Sequence, residues 1–197
     1  MTNPLYQGKK AIITGGTQGL GEVIARKLTE EQAAGLVISG RNDTRGKAVA
    51  EELTQLGTPT QFVKARMENP EDCVNLVQEA LQFLRFVDGL VNSAAVTTRG
   101  TLEDTTVELW DHHMAVNVRA PFLIMQQTVK AMQTRGKGGA IVNIITGAAH
   151  GGKPFLTPYS ASKGALATLT KNAAYSQRWN KIRVNGIMIG WMDTPGE

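Results

Sequence analysis

Short apolar, β-branched runs alternate with amphipathic helical patterns along the whole chain, and this alternation restricts the fold more than any single motif. Lys10-Ala-Ile-Ile-Thr14 ends in a glycine cluster and leads into a helical pattern through Leu20, Val23, Ile24 and Leu28. Leu36–Ser39 precedes a helix around 48–56, and Gln61–Lys64 precedes one near Pro70–Leu84. Gly89–Asn92 leads through a loop into a long helical stretch from about Val107 to Thr134. Ala140–Ile145 is followed by a helix from Thr157 to about Gln177, and Ile182–Ile189 reads as a further strand. Strands alternating with helices of this length predict parallel βαβ units with right-handed crossovers and helices on both faces of the sheet. Near-continuous apolar strands agree, because both faces of a parallel sheet are covered. The expected fold is α/β, a doubly wound parallel sheet of at least six strands.

With 197 residues, 42% of them hydrophobic, the chain is large enough for one sizeable core, and no linker or low-complexity segment divides it. Residues 1–197 therefore read as a single domain. The net charge of +4 suits a partner rich in phosphate, either nucleic acid or a phosphorylated cofactor. Lys and Arg are scattered among acids, however, and no basic stripe with interleaved aromatics occurs, so no nucleic-acid partner is expected. Met1 to Lys10 lacks the apolar core of a signal peptide, and no later run approaches a membrane span. The expected location is cytoplasmic, with no membrane partner. Cys73, the one cysteine, has no partner for an internal disulfide and no Cys/His cluster around it, so no metal is expected. His112 and His113 read as surface or packing residues, and His150 as a loop histidine near the pocket.

Thr14-Gly15-Gly16-Thr17-Gln18-Gly19-Leu20-Gly21 lies between the first strand and the first helix, where a pyrophosphate can meet a helix N-terminus. Glycines let the backbone approach the anion, and free amides with the helix dipole stabilise its charge. The spacing is Gly-x-x-x-Gly-x-Gly, not the commoner Gly-x-Gly-x-x-Gly. At the end of the second strand, where an acid would bind ribose hydroxyls and repel a 2′-phosphate, stand Gly40 and Arg41. A guanidinium can hold a phosphate through charge-assisted bonds, so NADP(H) is the preferred cofactor and NAD(H) the alternative. Arg41 as a plain solvated turn residue is the competing reading.

Tyr159 and Lys163 are four residues apart, which on a helix puts both side chains on one face. A tyrosine titrates near ~10 in water and exchanges protons at neutral pH only where a positive charge favours its ionised form. Lys163 is placed to supply that charge, although such a pair alone equally fits a solvated helix face.

Taken in order, these motifs closely resemble the short-chain dehydrogenase/reductase family over essentially the whole chain, from Leu5 to Thr194. The turn from Thr14 to Gly21 matches the family's cofactor loop, assigning Gly15, Thr17, Gln18, Gly19, Leu20 and Gly21 to the cofactor. Asn92-Ser93-Ala94-Ala95 resembles its Asn-Asn-Ala-Gly motif, giving Asn92 and Ala94 to the same site. Asn117 matches the active-site helical asparagine, Thr146 stands where a serine is usual, and Tyr159 and Lys163 match the signature pair. Ile189, Met192 and Thr194 fall where the family meets the nicotinamide end.

The resemblance implies a Rossmann-like sheet with the strand order 3-2-1-4-5-6 and an NAD(P)(H)-dependent oxidoreductase interconverting a secondary alcohol and a ketone by hydride transfer, with Tyr159 as acid/base. Lys163 would favour tyrosinate and hold the ribose, Thr146 would hydrogen-bond the substrate oxygen, and Asn117 would hold a water that passes protons from Lys163. Arg66 replaces an aspartate that commonly touches the adenine, Ile189 replaces a proline and Ala95 a glycine. The implied partners are a small alcohol or ketone and further copies in a homodimer or homotetramer. Family members continue beyond the sixth strand, so the resemblance makes 1–197 a C-terminally truncated form without the final strand and substrate-lid helices. An exposed strand edge and an open pocket would follow. The competing function is a nucleotide-binding Rossmann fragment or assembly module without turnover.

Overall fold

Each strand runs parallel to its neighbours, as the alternation of strand and helix requires. A computed structural model describes residues 4–192 of the chain. β1 (Lys10–Thr14), β2 (Gly35–Gly40), β3 (Thr60–Lys64), β4 (Gly89–Asn92), β5 (Gly139–Thr146) and β6 (Ile182–Ile189) form one sheet in the order β3-β2-β1-β4-β5-β6. The expected order is thus found. The helices are α1 (Gly19–Glu30), α2 (Asp43–Gln55), α3 (Pro70–Leu84), α4 (Val107–Met114), α5 (Ala120–Arg135), the short α6 (Ala148–Gly151) and α7 (Thr157–Gln177). None of them is long and apolar enough to cross a membrane.

The period-two alternation of strand side chains divides the core into two layers. Ile12, Val37, Leu90 and Ile141 point to one face and pack with Leu76, Ala80 and Leu84 of α3 and Ile124 and Met132 of α5. Cys73 of α3 lies in this layer, fully buried. Ala11, Ile13, Leu36 and Ile38 point to the other face and meet Ala25 of α1 and Val49, Ala50 and Leu53 of α2. β1 and β2 are therefore buried along nearly their whole length.

The far side of the sheet differs. Ile182 and Val184 of β6 join the first layer, and Ile145 of β5 packs with Leu166 and Ala167 of α7. On the opposite face of β6, Arg183, Asn185 and Ile187 are exposed. Coverage on both faces, as expected for the whole sheet, holds for β1 and β2 but not for β6 among the described residues.

Local signals account for the helix starts. Asn42 caps α2 by accepting from the Arg45 amide at 2.9 Å, so that helix begins earlier than its apolar pattern suggests. Asn69 caps α3 and Thr106 caps α4 in the same way. α1 has no side-chain cap; Gln18 precedes it in an extended conformation, leaving first-turn amides for another acceptor. The single helix expected over 107–134 is interrupted by a π-turn, Ala115–Arg119, in which the Ala120 amide reaches back to the Ala115 carbonyl. Pro121 contributes to this break: it has no N–H to close an α-helical bond on the Asn117 carbonyl.

Candidate active site

A cleft of about 780 Å³ opens along the carboxyl ends of the strands, across the point between β1 and β4 where the strand order reverses. Its floor is the turn after β1: Gly15, Thr17, Gln18, Gly19, Leu20 and Gly21 all line it. The turn folds this tightly because a side chain at Gly21 would fall on the Gly15 carbonyl. The Thr14 hydroxyl accepts from the amides of Ser93 and Ala94, both at 3.1 Å, and so fixes the segment after β4 against the end of β1. Ala94 lines the cleft. Asn92 is buried beneath the lining, where its Nδ2 donates to Asn143 Oδ1 at 2.8 Å; its side chain braces β4 against β5.

One end of the cleft is basic. Arg41 and Arg45 both line it and both are exposed. Arg45, in the first turn of α2, brings a second positive charge beside Arg41 that the sequence pattern does not mark. A Cβ at Gly40 would lie 2.6 Å from the Thr17 hydroxyl. The position at which an acid would select ribose hydroxyls is thus filled from the glycine turn. Ala65, Met67 and Glu68 line the adjoining wall, whereas Arg66 is exposed and does not line it; its amide donates to Asp72 at 2.8 Å.

The other end holds Tyr159 and Lys163, one helical turn apart on α7, with Ile144, Ile189 and Met192. Tyr159 is half-buried, and the Lys163 ammonium lies 6.0 Å from the centre of its ring. Lys163 is almost completely buried, and its Nζ donates to the Ile144 carbonyl at 2.8 Å. Burial lowers its pKa to about 8. Thr146 ends β5 on the same face as Ile144 and accepts from the Ala148 amide at 3.3 Å, but it is not part of the lining. Asn117 is wholly buried in the π-turn. Thr194 lies outside the described residues.

His112 is partly exposed and lines the cleft near Val116, whereas His113 is buried with its Nδ1 donating to the Leu109 carbonyl. His150 is exposed on α6 and lines no part of the cleft. Among the described residues no group of three or more His, Cys, Asp or Glu could hold a metal ion.

A doubly wound parallel sheet with a glycine-floored cleft at its switch point and a Tyr/Lys pair at one end defines the class, a Rossmann-type α/β protein. Comparison with known proteins narrows this. A family model described as short chain dehydrogenase matches residues 9–197. An uncharacterized oxidoreductase of Thermotoga maritima is 35% identical over 190 residues, covering 96% of this chain and 73% of that protein. Dehydrogenase/reductase SDR family member 4 of Bos taurus is 38% identical over 197 residues, covering 98% and 68%. Among solved structures, 3-ketoacyl-(acyl-carrier-protein) reductase of Brucella melitensis, complexed with NADH, superposes with a TM-score of 0.90 at 29% identity, covering 97% of this chain and 79% of that one. The chain belongs to the short-chain dehydrogenase/reductase family.

Proposed function

We propose that this protein is a nicotinamide-dependent oxidoreductase interconverting a secondary alcohol and a ketone, with Tyr159 as the acid/base. The observation that carries the proposal is the junction, in one cleft, of a tight glycine turn at a helix N-terminus and a tyrosine beside a deeply buried lysine. The residues present fit such a dinucleotide: the turn is closed at Gly21 to anything larger than hydrogen, and α1 begins without a side-chain cap. When bound, the nicotinamide supplies or accepts hydride.

Arg41 and Arg45 favour NADP(H), since two guanidiniums can hold a 2′-phosphate and Thr17 occupies the space of a competing acid. NAD(H) is the alternative, supported by the Brucella relative. Tyr159 would give its proton to the ketone oxygen in reduction and take one from the alcohol in oxidation. Lys163 below pH 8 is an ammonium and favours the tyrosinate form of its neighbour. The Thr146 hydroxyl would donate to the same oxygen as charge develops on it. Asn117 would hold the relaying water through its backbone carbonyl, to which Pro121 brings no N–H. The assembly we propose is a homodimer or homotetramer.

The test is Tyr159→Phe, assayed over a panel of secondary alcohols and ketones with both nicotinamide cofactors. Turnover should fall by roughly a thousandfold, with cofactor affinity unchanged. Full activity in this variant would remove Tyr159 from the chemistry. A wild-type protein that binds cofactor but transfers no hydride to any member of the panel would be a binding module instead.

A further inference from the structure

The wall of the cleft and the turn that carries Tyr159 are joined through one buried side-chain amide. Asn117 Oδ1 accepts from the Val96 amide at 2.9 Å, and its Nδ2 donates to the Val96 carbonyl at 2.9 Å. The side chain therefore pairs with Val96 much as a neighbouring strand would, and the Val96 peptide dictates which way the amide faces. The second Nδ2 hydrogen goes to Ser162 Oγ at 3.0 Å. Ser162 Oγ in turn donates to the backbone carbonyl of Tyr159 at 2.8 Å.

Ser162 and Asn117 are both fully buried, while Val96 and Tyr159 both line the cleft. A helical serine bonded only to a carbonyl one turn back is a common local arrangement with little consequence. Here the same oxygen also receives a hydrogen from the π-turn between α4 and α5, so the first turn of α7 is held by an element outside its own helix. Both side chains are buried, and a buried donor left without its acceptor is costly.

We propose that Ser162 is a positioning residue for Tyr159: through Asn117 it holds the turn bearing the phenol in register with the cleft wall at Val96. The proposal rests on the acid/base reading of Tyr159. Lys163, the next residue, is held separately by the Ile144 carbonyl. Loss of the Ser162 hydroxyl would therefore let the phenol move relative to the ammonium, while the ammonium stayed in place. The effect belongs to proton transfer and not to nucleotide binding, because Ser162 does not line the cleft.

Ser162→Ala tests this, with Ser162→Thr as the variant that keeps the hydroxyl. In Ser162→Ala, kcat should fall about tenfold at unchanged KM and unchanged cofactor affinity, with recovery in Ser162→Thr. In a Tyr159→Phe background the same change should cost nothing further. A second readout needs no turnover: the absorbance titration of each protein minus that of its Tyr159→Phe counterpart isolates this phenol from Tyr6 and Tyr175, the chain's other tyrosines. Its midpoint should rise in Ser162→Ala and return in Ser162→Thr. An unmoved midpoint overturns the proposal, as does a loss additive with Tyr159→Phe, or a joint fall of kcat, cofactor affinity and melting temperature without recovery in Ser162→Thr. If instead Tyr159→Phe proves active, the acid/base reading has failed, and the titration still decides whether Ser162 sets the position of the phenol.

Discussion

Ile38 in β2 and Ile187 in β6 are both isoleucines of parallel strands in one sheet, yet the first is 0% exposed and the second 50%. Around Ile38 the sheet is closed on both faces, with α1 and α2 on one side and α3 on the other. Around Ile187 it is closed on one face only, among the described residues. The two halves carry different duties. The closed half presents the glycine turn and the arginines at its upper rim, a cradle that gains from rigidity. The half-open side carries Tyr159 and Lys163 on α7, where the least comfortable group of the site, a buried amine, is held by a carbonyl of β5. Packing strength and chemical demand are thus concentrated in different parts of one sheet.

The most direct way to break this comparison is to shorten both isoleucines. Ile38→Ala should lower the unfolding free energy by about 2–5 kcal/mol and Ile187→Ala by less than about 0.5 kcal/mol, measured by urea denaturation. Equal losses would mean that the β6 face is as well packed as β2.

Next in size is a pH effect confined to the α7 side. Below pH 8 the folded protein carries the full cost of a buried ammonium at Lys163, on the order of 3 kcal/mol. The cost shrinks as pH rises from 8 towards the ordinary lysine value of 10.5, and above that it is gone. The free protein should therefore gain stability from Lys163 across that window, and Lys163→Met should lack the gain. The difference between the two pH profiles removes the contributions of Tyr6 and Cys73. Burial raises the pKa of both, so each loses stability as pH rises past its unfolded value. Parallel profiles for wild type and Lys163→Met would contradict the buried-ammonium account.

The smallest effect concerns the rim. Arg41→Ala and Arg45→Ala should each weaken NADP(H) binding by about tenfold and leave NAD(H) affinity and the pH dependence of kcat as they were. Because both side chains are exposed, the losses should diminish at high salt. A shift in the pH profile on removing either arginine would mean that the two halves are coupled more tightly than their separate packing implies.

Much of this division is legible in the chain. The parallel sheet follows from the alternation and its strand order from the family resemblance, since the order 2-1-3-4-5 obeys the same alternation; Thr14–Gly21 marks the cradle because few other turns need glycines so placed. The half-covered β6 is also written in the sequence, where Ile182-Arg-Val-Asn185 alternates apolar and polar while Leu36-Val-Ile38 does not. The π-turn has a weaker signature. The apolar period from Val107 to Thr134 is close to that of one helix, and only Pro121 hints at a break whose position depends on the Asn117 pairing with Val96 across the loop. Arg45 and the place of His112 on the cleft escaped because a single polar residue on a helix gives no sign of which face meets a cleft. The commitment of Asn117 to Ser162 escaped for a similar reason: forty-five residues separate them, and local pattern carries no information about such a pair.

Cys73 gives the closed layer a chemical clock. It is the chain's one cysteine, it lies fully buried on α3, and burial together with the charge of Asp72 pushes its pKa up to about 11. A folded molecule offers a thiol reagent neither access nor thiolate, so labelling must wait until α3 lifts from the sheet. With reagent concentrated enough to outpace reclosing, the rate of its consumption at neutral pH would report how often those openings occur, with no probe added to the chain.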